Sequence, residues 1–181
     1  MNTRDKASIA PAWTLAGAAA VLATTIGVCA ENTQAIQAPP SATATATKQA
    51  QDEKAFATLG EQTTDKICVI CHPWENIIST RRTVREWNDM VINMAQRGAP
   101  GTEQQFTIVK KFLSRYYGVV NVNAAAADEI AAVLGLSAKD AAAIVEYRRA
   151  HGKFADAAAL ARVEGIDKAK ISEQPEALRF D

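Results

Sequence analysis

Cysteine and histidine are scarce in this chain, with three and two residues respectively, and neither sign of charge is in excess, with 20 Lys and Arg against 20 Asp and Glu. Three cysteines cannot close a paired disulfide framework with none left over. A balanced charge excludes a globally basic nucleic-acid protein. Aromatic residues are sparse, and alanine supplies much of the apolar fraction. That composition predicts helices with thin cores. At 181 residues, the chain has room for one medium domain or two small ones. From Val119 onward Trp, Cys and Met are missing altogether.

The N-terminal thirty residues have the pattern of an export signal. Arg4 and Lys6 precede the apolar run "TLAGAAAVLATTIGV". Val28 and Ala30 then supply a small-residue cleavage pattern. Cleavage after Ala30 is the expectation, removing Cys29 with residues 1–30. The alternatives are an uncleaved anchor over 13–30, at the short end of a spanning helix, and acylation at Cys29. Residues 31–50, "ENTQAIQAPPSATATATKQA", have almost no large apolar side chain. They predict a flexible tether. The composition shifts again at Gly118–Val119, which places one domain over 51–118 and a second over 119–181.

Three helices are predicted in the first domain. One covers about 52–65. The second begins at Thr83, where "TVRE" forms a capping box with Glu86. Its stripe is Trp87, Met90, Val91 and Met94, and Gly98 and Pro100 end it. The third follows "PGT", with Thr102 and Gln105 as its capping box. Phe106, Val109, Leu113 and Tyr116 share one face, and Gly118 stops it. In the tail, "AAVLGLSAKD" at 131–140 matches "ARVEGIDKAK" at 161–170, a repeat with a period of 30 residues. Each copy predicts a helix, a glycine turn and a second helix.

The scarce residues are concentrated in "CVICH". The spacing Cys68-x-x-Cys71-His72 is that of c-type haem attachment. Two thiols two residues apart on a turn can each add to one vinyl group of the porphyrin, and the next imidazole is then aimed at the iron. The porphyrin would also supply apolar core to a domain of roughly 60 residues, which is marginal alone. Three other uses compete. A thioredoxin-type dithiol lacks a βαβ pattern around it. Half a zinc site lacks further ligands, because His151 lies far downstream in "RRAHGKF", read as a polar loop. A structural disulfide remains open in an oxidising compartment. For the sixth iron ligand the chain offers Met90 and Met94 on one helix face. Met94 is preferred, being nearer the helix end, and either methionine can instead be core. Trp87 and Arg97 are candidates to touch the haem edge or a propionate, the alternatives being a core residue for Trp87 and a solvated helix end for Arg97. No dyad, triad or phosphate loop points to a catalytic residue.

Residues 52–118 resemble small mono-haem class I c-type cytochromes. The likeness rests on "CVICH", on the Arg82–Ala99 pattern "R-x-x-x-EW-x-x-x-V-x-x-M-x-x-x-GA", and on "VKKFLSRYYG". It is reminiscent of the haem domains that serve periplasmic quinoprotein dehydrogenases. The resemblance implies one covalent haem c on Cys68 and Cys71, iron ligation by His72 and a methionine, and a periplasmic electron carrier rather than an enzyme. Its partner would be a redox protein or dehydrogenase. Class I members usually place the distal Met in a loop, whereas both candidates here lie in a predicted helix.

Residues 119–171 resemble the ComEA-type helix-hairpin-helix domain of competence DNA receptors, through "VNVNAA", Gly135, Gly165, "IVEYRR-x-HGKF" and "L-x-x-V-x-GI". Asn123 is expected to be an N-cap. The family's Gly-apolar-Gly turn is altered in both copies, to Gly135-Leu136-Ser137 and Gly165-Ile166-Asp167. The tail carries eight Lys and Arg against ten Asp and Glu, little charge for neutralising phosphates. The expectation is therefore a mostly α protein whose tail docks to a partner. Two other functions are kept open. One is an envelope DNA-binding protein with an accessory haem. The other is a haem sensor or enzyme with an open iron position. Contact with a membrane is expected only if the N-terminal segment stays uncleaved.

Overall fold

A computed structural model describes residues 42–181. The export signal at 1–30 and the first part of the tether lie outside the described residues. Pro40–Asp181 form one compact unit. Eight α-helices are described, together with one 3-10 turn and one pair of two-residue strands, so the class is mostly α.

Helix α1 spans Ala42–Ile67, beginning ten residues before the predicted start and inside the predicted tether. Residues 43–50 are exposed, so nothing apolar is gathered there. What favours the helix is local. Alanine has the highest helix propensity, and Lys48 pairs with Asp52 one turn on at 2.8 Å. The Thr47 hydroxyl also donates to the Thr43 carbonyl. Short helix α2 is Trp74–Ile78.

Helix α3, Val84–Gln96, starts with the expected Thr83–Glu86 capping box. Helix α4, Glu103–Tyr116, starts with the Thr102–Gln105 box. Both boxes satisfy orphan N–H groups reciprocally, which fixes where the helices begin. Ile67, Ile77, Trp87, Val91, Val109, Phe112 and Leu113 form the core of this half. Helices α1 and α4 cross where Gly60 faces Phe112. A Cβ on Gly60 would lie 2.3 Å from the Phe112 ring, so only glycine permits this approach.

The second core is drawn from 120–178 and centres on Ile130, Val133, Leu134, Ile144 and Leu160. Helix α5 is Ala127–Leu134, α6 Ala138–His151, α7 Ala157–Leu160 and α8 Lys168–Ser172. The first repeat copy, 131–140, runs from α5 through its glycine turn into α6; in the second, 161–170, α7 has already ended at Leu160, so only the glycine turn and the start of α8 correspond. Gly135 and Gly165 both take positive φ, 64° and 76°, as the hairpin turns require. The aligned pairs Val133 and Val163, and Leu136 and Ile166, are all buried. Strand β1, Val120–Asn121, pairs in parallel with β2, Leu178–Arg179, tying the ends of this half together.

Two readings of single residues are corrected. Asn123 caps no helix, because α5 starts at Ala127 behind Ala126. Its side chain instead accepts from the Phe154 N–H at 2.8 Å and donates to the carbonyls of Phe154 and Phe180 at 2.9 Å each. His151 lies in no loop; it is the last residue of α6. There its ring stacks on Tyr147 with centroids 4.2 Å apart.

Candidate haem cavity and the hairpin tail

The "CVICH" stretch follows α1 directly. The Cys68 and Val69 N–H groups both point at the Thr64 carbonyl, at 2.8 and 3.4 Å, and the Cys71 N–H donates to the Cys68 carbonyl at 3.3 Å. Pro73, with no N–H to satisfy, stands at the start of α2. Trp74 Nε1 reaches back to Asp65 on α1 at 2.6 Å. Buried Ile67 and Ile77 anchor the two ends. The motif is therefore a short loop pinned on both sides.

Cys68, Cys71, His72, Met90 and Met94 all line one cavity of about 510 Å³. That is within the roughly 300–1,000 Å³ usual for cofactor sites. Its wall is mostly apolar, with Trp87, Phe106 and Leu113 among the lining residues. Two of these, Phe106 and Leu113, come from the predicted stripe of α4. Both methionines are half-buried on the α3 stripe, and the cavity does not distinguish between them as ligands.

The donor set suits a covalent haem. Cys68 and Cys71 are free thiols. Burial, with Cys71 alongside, pushes the Cys68 thiol up from 9.0 to about 11. It is thus held protonated, unlike the lowered thiols of reactive dithiol motifs. His72 Nδ1 is buried without a hydrogen-bond partner, although buried polar atoms are normally paired. Among the described residues, no group of three or more His, Cys, Asp or Glu side chains is placed to hold a metal ion. What converges is two thiols, one imidazole and two thioethers.

Trp87 and Arg97 both line the cavity; Trp87 is also a buried core residue, and Arg97 is an exposed residue at the end of α3. Arg82, the first residue of the Arg82–Ala99 pattern, lines it too, as does Asn76, which no sequence pattern marked. The Arg82 guanidinium lies over the Trp87 ring, 5.2 Å from its centroid. This places a cation in the wall despite the cavity's apolar character.

In the tail, Ser137 accepts from the Asp140 N–H at 3.1 Å. Asp167 accepts from the N–H groups of Ala169 and Lys170 at 3.1 and 3.4 Å. The residues that replaced the second glycine of each turn are therefore helix caps. The last carbonyls of α5 and its turn are covered as well. Arg115 donates to Val133, Gln174 to Leu134, and Lys170 to Gly135.

Residues 116–179 match the family model described as a helix-hairpin-helix motif, starting three residues before the predicted boundary. An uncharacterized protein of Haemophilus influenzae is 44% identical over 62 residues, covering 34% of this chain and 55% of its own length. The endonuclease/exonuclease/phosphatase family domain-containing protein 1 of Rattus norvegicus is 46% identical over 50 residues, 28% of this chain. Its counterpart in Mus musculus gives the same figures. The chain spans about half the length of the first relative and 9% of the other two. No solved structure matches the chain significantly. The protein is mostly helical and carries a helix-hairpin-helix domain over residues 116–179.

Proposed function

We propose that this chain is an exported electron carrier holding one haem c in the cavity behind "CVICH", with the hairpin tail as its docking domain. The observation that carries this reading is the meeting of both thiols, the imidazole and two thioethers in one apolar cavity of cofactor size. Cys68 and Cys71 would hold the group covalently, His72 would ligate the iron, and Met94 or Met90 would face it from α3. When bound, haem supplies a one-electron couple, and a thioether opposite imidazole raises its potential. The chain's own residues exclude water, through Trp87, Val91, Phe106 and Leu113, and fix the loop that carries the thiols. No bond in a substrate is made or broken. The setting is the bacterial periplasm, and the partner a redox protein or dehydrogenase there.

Intact-mass analysis and a reduced-minus-oxidised spectrum test the reading, on protein matured in a host able to attach haem. One added haem with c-type bands is the expected result. A colourless polypeptide of unmodified mass overturns it.

A second reading, nucleic-acid binding by the tail, is favoured by the helix-hairpin-helix match. Amides at the start of a hairpin's second helix are suited to phosphate. Against it stand the excess of acidic residues and Asp167, whose carboxylate already takes the α8 amides. A gel shift with the full chain at low salt decides. Tight binding that weakens steeply with salt would favour the DNA-binding reading.

A further inference from the structure

Between the two cores the chain runs through Tyr116, Tyr117 and Gly118. We propose that Arg81 is a positioning residue for the cavity wall, holding this segment so that the Tyr117 carbonyl meets the Trp87 indole. Only the second readout described below depends on the haem reading.

The contacts form a relay. Arg81 Nη1 donates to the carbonyls of Tyr116 and Gly118 at 3.2 and 3.3 Å, and Nη2 reaches Glu176 Oε1 at 2.9 Å. The carbonyl between those two, Tyr117, accepts from Trp87 Nε1 at 3.0 Å and from the Arg82 N–H at 3.3 Å. The Val119 N–H returns a bond to the Arg82 carbonyl at 2.9 Å. On its other side the segment lies close against α4, since a Cβ on Gly118 would stand 2.0 Å from the Ser114 carbonyl. Trp87 is 1% exposed, and both Trp87 and Arg82 line the cavity.

The chemistry of the guanidinium explains why arginine stands at position 81. A planar fork holds two carbonyls and a carboxylate at once, whereas an ammonium acts as a single point charge. If the carbonyls are released, Tyr117 swings and the indole N–H loses its acceptor. A buried unpaired donor is costly, so the indole must move, and the wall moves with it. The Arg81–Glu176 ion pair is half-exposed and contributes little itself. Replacing Glu176 therefore removes the pair while leaving the grip on the carbonyls.

Hydrogen exchange of the Trp87 indole N–H, read by NMR on the full chain before haem attachment, tests the relay. Arg81→Ala should speed exchange by about tenfold or more, the loss of one buried hydrogen bond. Arg81→Lys should fall between Arg81→Ala and the parent, and Glu176→Gln should stay within about twofold of the parent. If Arg81→Ala does not fold, Arg81→Lys carries the test. An exchange rate in the Arg81 variants equal to that of Glu176→Gln overturns the proposal. In haem-loaded protein the midpoint potential should shift in the same order across the three variants. Changed exchange with an unchanged potential would also overturn the role at the cavity. If no haem attaches, the function reading fails, and indole exchange alone decides the relay.

Discussion

At the residue scale, Cys68 and Asn123 show how much a side chain's surroundings decide. Burial and the neighbouring Cys71 raise the Cys68 thiol from 9.0 to about 11. Near pH 8 it should then carry about a hundredfold less thiolate than an ordinary cysteine. In protein made without haem attachment, iodoacetamide should alkylate the exposed Cys71 well before Cys68, as peptide mass mapping would reveal. Equal rates would contradict the burial argument. The sign for stability follows from linkage. Between about pH 9 and 11 the unfolded chain loses this proton and the folded chain keeps it, so stability falls as pH rises through that window. Asn123 offers a second test. Its amide joins the turn after β1 to Phe154 and Phe180, and Asn123→Ala leaves the Phe154 N–H and two carbonyls without those partners. A loss of about 2–3 kcal/mol is expected in chemical unfolding. A loss below about 0.5 kcal/mol would return Asn123 to a minor local role.

At the scale of elements, the starts of α3 and α4 were legible because their signals are local. Thr83 with Glu86 and Thr102 with Gln105 each lie three residues apart, and the apolar stripes repeat within one helix. The hairpin glycines were legible for the same reason. The early start of α1 was missed because alanine and threonine build an exposed helix with no core to mark it. Asn123 was misread because its partners lie 31 and 57 residues away. The Gly60–Phe112 crossing was equally hidden, since it joins two helices distant in sequence. It makes a sharp prediction. Gly60→Val places carbon where the Phe112 side chain stands, and overpacking of this kind costs about 1–3 kcal/mol. Phe112→Leu in the same chain should restore part of that loss, if the clash and not helix propensity is the cause. Thermal unfolding of the single and double variants separates these causes. A double variant that merely sums the two single losses would argue against direct contact.

At the scale of the whole molecule, the composition break at Gly118–Val119 coincides with the change from one core to the other, yet the two halves share α4. Its Val109, Phe112 and Leu113 fill the first core. Its Arg115 binds Glu53 on α1 at 2.8 Å, and also Val133 and Gln174 of the tail. Tyr116 adds to this junction, donating to Glu53 Oε1 at 3.1 Å. Burial and that carboxylate push its hydroxyl up to about 12. A motif such as "CVICH" is readable in five residues, but a junction of this kind is assembled from positions 53, 115, 116 and 174 and has no sequence pattern. Its consequence is cooperativity. The tail lacks tryptophan, so once Trp13 is replaced by phenylalanine indole fluorescence reports the first core through Trp74 and Trp87, while far-UV circular dichroism reports helices of both. If Arg115 and Arg81 bind the halves into one folding unit, the two signals should lose amplitude at the same temperature. Arg115→Ala removes the shared partner of Glu53, Val133 and Gln174. It should split the curves, the tail's helical signal departing from the fluorescence transition. Coincident curves in the parent and separated ones in the variant identify Arg115 as the residue that makes two cores melt as one. Separated curves in the parent would mean that the halves fold independently, and the junction would then be a contact without energetic weight.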